Sequence, residues 1–267
     1  LKKTYTVSFE VNDVPTEYHF EGLDYYIFKD NDTGEEHKKF EKIYEKLPDG
    51  SKTEWNSGNA GFMITNGTAG LKDYPTMQDD NGYIGKCVKL VTRSTGPMGI
   101  AFGAPIAAGN LFLGEFQIDI LNMAKSTRFG LPYRNTPVAI SGYYKYQPGA
   151  KFTDKTNTVL ENARDTFDIY AVMYESTTET PFLDGTNIKT HPSIVMMAQL
   201  KERKPTDAWT HFSMTFEPVA GRTLDPEKLR KGQYNLAIVM SSSQGGAFFR
   251  GAVGSTLWVD ELQLFHE

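Results

Sequence analysis

The stretch 234-YNLAIVMSSSQGGAFFRGAVGSTLWVDELQL-264 decides how the rest of the chain is read. Residues 234–240 are apolar and rich in strand-forming side chains, the pattern of a buried strand. Residues 241–246 are too polar and too glycine-rich to stay in a sheet, so the chain leaves it there as a loop. Residues 256–265 return as a closing strand, with Asp260 in its middle. A carboxylate at such a place, if buried, has to be hydrogen-bonded, ion-paired or metal-bound.

Outward from this stretch, short strand-like runs recur every ten or so residues between turn-forming residues, as in a sandwich or barrel. Residues 138–146 alternate, with Val138, Ile140, Gly142, Tyr144 and Tyr146 on one face and Tyr143 and Lys145 on the other. Residues 167–174 alternate as well, with Phe167, Ile169, Ala171 and Met173 opposite Asp168, Tyr170, Val172 and Tyr174. Further strands are expected over 4–9, 18–28, 83–92, 111–121, 194–200 and 210–217. Asp79-Asp80-Asn81-Gly82 predicts a hairpin. Residues 38–46 read as a short helix or a loop edge, because Phe40, Ile43, Tyr44 and Leu47 fall at helical spacing. Residues 224–231 read as a helical turn. With no linker, low-complexity tract or internal repeat, residues 1–267 are expected to form one all-β domain: a sandwich of two antiparallel sheets with little helix.

Composition narrows the function classes. The net charge of −5 argues against nucleic acid, which needs a basic face. The single cysteine, Cys87, excludes an intramolecular disulfide and a cysteine-based zinc site. The five histidines are scattered and form no zinc-binding helix motif. No apolar run approaches the roughly 20 residues that span a bilayer. The 14 tyrosines and 17 phenylalanines exceed what a core of this size needs, which leaves rings for a surface.

Several blocks occur in order: Gly109-Asn110-Leu111-Phe112-Leu113-Gly114, Phe129-Gly130-Leu131-Pro132-Tyr133, Gly142-Tyr143-Tyr144-Lys145-Tyr146, Asp168-Ile169-Tyr170, Ala208-Trp209, and the closing SSS…GAVGS…LWVDEL. By these blocks the chain, from about Trp55 to its end, resembles the putative carbohydrate-metabolism domain family of Bacteroidetes. The resemblance implies a jelly-roll fold and an exported protein of a polysaccharide-use system, in the periplasm or at the cell surface, with a lipid anchor expected upstream of Leu1. It implies an oligosaccharide or polysaccharide as partner.

Sugar recognition needs flat aromatic faces for the C–H faces of the ring and amide, cationic or carboxylate groups for its hydroxyls. Tyr144 and Tyr146 supply rings on one strand face, and Asp168 and Tyr170 supply an acceptor and a ring on another. Trp55 with Asn56 and Asn59 joins a ring to amides in a glycine-rich loop. Tyr133 and Arg134 follow Pro132 in a second loop, and residues 241–246 place Ser242 and Ser243 beside Phe248, Phe249 and Arg250. The competing reading for each aromatic residue is packing in the core.

Glycosidase chemistry would need two carboxyl groups about 5–5.5 Å or 6.5–9.5 Å apart. Glu115 and Asp119 share a strand face but stand roughly 13 Å apart by strand rise. A hydrolase would therefore have to draw its carboxylates from separate strands. Three functions are carried forward: non-catalytic glycan binding, glycoside hydrolysis, and protein binding as an adhesion or structural module. Similarity to jelly-roll carbohydrate-binding modules further suggests a structural calcium ion between Glu10 and Asp260. The alternative is an Asp260 that accepts backbone hydrogen bonds at a bulge.

Overall fold

A computed structural model describes residues 14–119 and 121–267. The strand expected over 4–9 and the calcium candidate Glu10 lie outside the described residues.

Two antiparallel sheets face each other, as the alternation predicts. The first runs in the order Thr206–Thr215, Pro137–Gln147, Thr256–His266, Cys87–Val91, Thr76–Asp79, with Glu17–Tyr18 paired to the far end of Thr256–His266. The second runs Leu131–Tyr133, Tyr234–Ser241, Asp168–Glu175, Ile194–Gln199, Glu217–Pro218, and Asn110–Phe112 also pairs with Tyr234–Ser241. Apart from the consecutive pairs Thr76–Asp79 with Cys87–Val91 and Asp168–Glu175 with Ile194–Gln199, neighbours in each sheet are non-consecutive in sequence, which gives the jelly-roll connectivity. The core lies between the sheets. Tyr144, Tyr146, Phe212, Met214, Leu257 and Val259 of the first meet Ile169, Ala171, Met173, Leu236, Ile238 and Met240 of the second.

The closing strand keeps its apolar residues inward only because it contains a bulge. Leu257 and Val259 face the core, and so do Leu262 and Leu264, which unbroken alternation would turn outward. One extra residue between the pairs Tyr143–Asp260 and Ser141–Gln263 restores the parity. Glu261 takes up this residue in the left-handed region, at φ 50°.

A third sheet, Gly22–Lys29, Glu36–Lys46 and Lys52–Glu54, precedes the sandwich. This corrects the helix-or-loop expectation over 38–46. Glu41, Ile43 and Glu45 occupy alternate, inward positions of a strand. Glu41 accepts from the Gln78 backbone N–H at 2.6 Å, and Glu45 from the Phe20 N–H at 3.1 Å and the Trp55 indole at 3.2 Å. Two buried acids thus hide a period of two behind an apparent helical one. The strand expected over 111–121 is split into Asn110–Phe112 and Gly114–Phe116. Gly114 has φ 138°, and a Cβ there would meet the Arg128 carbonyl at 2.1 Å. The helical turn falls where expected, at Pro226–Arg230. Its cap, Asp225, accepts from the Glu227 and Lys228 N–H groups.

The second sheet is apolar on its outer face as well. Phe112, Tyr170, Val172, Tyr174, Ala237 and Val239 pack there under Phe129, Leu183 and Ile188. The outer face of the first sheet carries rings and charges instead.

Candidate functional site

On the outer face of the first sheet, strand register sets four side chains in a row. Lys145 pairs with Trp258, and Trp258 pairs with Lys89 on the next strand. Trp209, on the strand at the other side of Lys145, extends the row. The Lys145 ammonium lies 4.5 Å from the ring centre of Trp209 and 5.3 Å from that of Trp258. The Lys89 ammonium lies 5.4 Å from Trp258. Cation and indole therefore alternate across four strands within the reach of cation–π attraction. Asp79 closes the row, accepting from the Trp258 indole N–H at 3.3 Å and pairing with Lys89 at 3.4 Å. Burial pushes the Asp79 carboxyl up, but hydrogen bonds from Asn81 and Trp258 and the charge of Lys89 outweigh it and hold the group below its ordinary range.

A second row lies beside the first. Tyr143 pairs with His211 on one side and Asp260 on the other. Tyr83, from the loop after Thr76–Asp79, stacks on Tyr143 and meets Trp209 edge-on at 6.4 Å. The hydrogen bond between the two phenols raises that of Tyr143 above its ordinary value. The loop that carries Tyr83 is pinned by Asp260. One carboxylate oxygen accepts the Ile84 N–H at 3.0 Å and the other the Glu261 N–H at 2.9 Å. Burial raises the Asp260 carboxyl to about 6 against the pull of these bonds.

These contacts bear on calcium. A calcium ion needs converging oxygens, whereas the groups facing Asp260 are N–H donors. Among the described residues no three His, Cys, Asp or Glu side chains gather closely enough to hold a metal ion. Asp260 itself accepts backbone hydrogen bonds at the bulge; Glu10, the other member of the expected calcium pair, lies outside the described residues.

A pocket of about 420 Å³ opens over the outer face of the second sheet. The sequence-predicted Asp168 and Tyr170 line it, together with Ser243 and other residues of the 241–246 loop. The register Asp168–Ser241 brings the two segments together. Asp168 is buried. Lys189 donates to one of its oxygens; Gln199 and Arg203 donate to the other, each at 3.1 Å. The Lys189 ammonium also lies 4.1 Å from the Tyr170 ring centre. Most of the remaining wall is apolar.

Apart from Ser243 at the pocket edge, the other sequence-predicted residues join neither site. Tyr144 and Tyr146 face the sandwich core, each 4.8 Å from the ring of Phe167, and present no ring to solvent. The alternation was right, but the inward pair carried the expectation. Trp55 is buried against Tyr18 and Phe20. Asn59 is buried with its amide bonded to both backbone groups of Thr76. Tyr133 is buried edge-on to His266, and Arg134 packs over Gly232. Both serine hydroxyls are internal: Ser242 and Ser243 bond Thr92, and Ser243 also donates to Asp165 at 2.6 Å. Arg250 is exposed beside Phe152, at 5.9 Å. The residues the sequence reading passed over are Tyr83, Lys89, Tyr143, Lys145, Trp209 and Trp258. Their signal was present in the outward parity of Tyr143 and Lys145, and in Trp258 lying between the inward Leu257 and Val259.

Among the described residues five carboxylates are buried: Glu41, Glu45, Asp165, Asp168 and Asp260. Each is held singly by its own donors. Asp165 accepts from Ser243, Ser255 and the Ala252 N–H at 2.6–2.7 Å; burial raises its carboxyl despite these bonds. Of these five, Asp168 is the one that lines the pocket. A second cavity, at the edge between Ile194–Gln199 and Thr206–Thr215, is flanked by Glu202 and Glu217. Both are exposed, and they pair with Lys204 at 3.1 Å and Lys201 at 3.2 Å.

Two packed antiparallel sheets with jelly-roll connectivity and a ring-bearing outer face define a β-sandwich of the carbohydrate-related class. The profile of the family described as "putative carbohydrate metabolism domain" matches residues 19–265, and the chain belongs to that family. The match begins well before Trp55, so the family unit includes the three-stranded N-terminal sheet. The chain is similar to a crystal structure described as a putative glycoside hydrolase from Bacteroides thetaiotaomicron. The two are 44% identical over 95% of this chain and 72% of that one, with a TM-score of 0.87. A second structure so described, from Bacteroides vulgatus, is 37% identical over 96% of this chain and all of that one, with a TM-score of 0.84. No curated protein matches the chain.

Proposed function

We propose that the protein binds a glycan, without cleaving it, across the outer face of the first sheet. The observation that carries this reading is the row Trp209, Lys145, Trp258, Lys89, with Tyr83 and Tyr143 beside it. Half-exposed indoles on rigid strands offer apolar ring faces, while the lysines, His211 and Asp79 offer donors and acceptors for hydroxyls. Two of the three tryptophans of the chain lie here.

The carboxylates support binding rather than hydrolysis. A glycosidase sets two carboxyl groups across one bond, one of them desolvated enough to hold a proton. Among the described residues each buried carboxylate is held by its own donors, and the Glu202 and Glu217 side chains are exposed and paired with lysines. The relatives described as hydrolases give the competing reading its weight. We further propose, from the resemblance alone, that the protein belongs to an exported, lipid-anchored glycan-use system. The test is a glycan array followed by calorimetry on the hits, with a reducing-sugar assay on the same compounds. Saturable binding without release of reducing ends is expected. Release that survives repurification would favour the hydrolase.

A further inference from the structure

We propose that the pocket over the second sheet is a separate site for a small amphiphile, with an aromatic or alkyl body and an anionic head. Its wall is wrong for a bare sugar. Phe62, Phe112, Phe116, Phe129, Ile188 and Val239 dominate it, and several hydroxyls at its edge already have protein partners: Ser243 bonds Asp165 and Thr92, Thr127 accepts the Gly185 N–H, and Thr95 donates to the Ala104 carbonyl. A space of about 420 Å³ falls within the range of small-ligand sites. An apolar body would therefore gain from leaving water there.

The polar end selects the head. Asp168 is met by two cations, Lys189 and Arg203, and by the Gln199 amide, so the cluster carries one positive charge in excess. Lys189 spends one N–H on Asp168 and has donors left, and it lines the pocket. A head that accepts hydrogen bonds and carries negative charge fits this end; a cationic head does not. Near the mouth, Phe249 is held in the left-handed region at φ 56°, a conformation that costs a bulky residue energy and persists only where its surroundings fix it.

The test is fluorescence titration of the folded protein with two probes of similar body. 1-Anilinonaphthalene-8-sulfonate carries an anionic head, and N-phenyl-1-naphthylamine carries none. One saturable site per chain is expected, with the sulfonate bound about tenfold tighter, the worth of one charge-assisted hydrogen bond. Lys189→Met should remove that preference; Asp168 keeps Arg203 and Gln199 in this variant. Gly61→Leu should exclude both probes, because a side chain there projects toward Phe116 and Met123, each 3.3 Å from the added Cβ. Displacement of the sulfonate by hydrocinnamate, read on the unaltered protein, tests the site even if Gly61→Leu fails to fold. Non-saturable binding, equal affinity for the two probes, a preference that survives Lys189→Met, or no displacement by hydrocinnamate would overturn the proposal.

Discussion

Tyr83 lies flat against Tyr143, with ring centres 3.7 Å apart and planes 12° from parallel. The first ring belongs to a loop and the second to an inner strand of the sheet. Asp260, on the neighbouring strand, holds the loop in place through the Ile84 N–H. A buried carboxylate thus sets the position of an exposed ring, and structure and proposed binding meet at this contact.

Tyr83→Ala should separate the two roles. Losing the stack should lower stability by about 0.5–1.5 kcal/mol, because Tyr83 is largely exposed and only one aromatic pair is removed. Glycan affinity should fall more than this loss of stability alone explains. Urea denaturation and calorimetry on the same preparation check the two effects. Unchanged affinity would remove Tyr83 from the binding face.

Asp260 should leave a mark on the pH dependence of stability. An aspartate in an unfolded chain titrates near 3.9, by reference to model peptides, and in the fold this one is raised to about 6. The folded state therefore binds the proton more tightly. The contribution is complete below about pH 4 and is lost as pH rises through about 6. Two units correspond to roughly 3 kcal/mol at most. Relative to Asp260→Asn, the unaltered protein should gain stability as pH falls from about 7 to about 4.5. Parallel curves for the two proteins would mean that Asp260 does not titrate in this window.

Chelation should have little effect. The oxygens of Asp260 are taken by backbone N–H groups, so a chelator should leave the melting temperature unchanged. A fall on chelation, reversed by calcium, would show by linkage that an ion binds the native state.

The fold was legible where strand periodicity was undisturbed. Residues 138–146 and 167–174 alternate as the structure has them. Period two states which residues share a face, but not which face meets water; Tyr144 and Tyr146, expected at a ligand face, point into the core, and Tyr143 and Lys145 point outward. Two features were hidden for physical reasons. The strand Glu36–Lys46 buries Glu41 and Glu45 through partners far along the chain, so polarity misreports its inward face. The bulge at Glu261 depends on a backbone conformation that the residue type does not announce. The meeting of Asp168 with the 241–246 loop could be read, because it follows from two recognisable strands lying side by side.

Asp168→Asn should be a stability variant. An amide cannot satisfy Lys189, Arg203 and Gln199 as a carboxylate does, so a loss of about 1–3 kcal/mol is expected. Urea denaturation reads it. Glycan affinity should not change, because Asp168 lies on the sheet opposite the binding face. A stability within error of the unaltered protein would show that the cluster is not structural.

If the glycan binds on the outer face of the first sheet, Trp209 and Trp258 should carry much of its affinity. Calorimetric titration of Trp258→Ala, Trp209→Ala and Asp168→Asn, all with the same array-selected oligosaccharide, tests it most directly. Each tryptophan variant should lose about 1–3 kcal/mol of binding free energy, while Asp168→Asn should bind like the unaltered protein. Full affinity in both tryptophan variants, together with lost affinity in Asp168→Asn, would contradict it and move the glycan to the pocket.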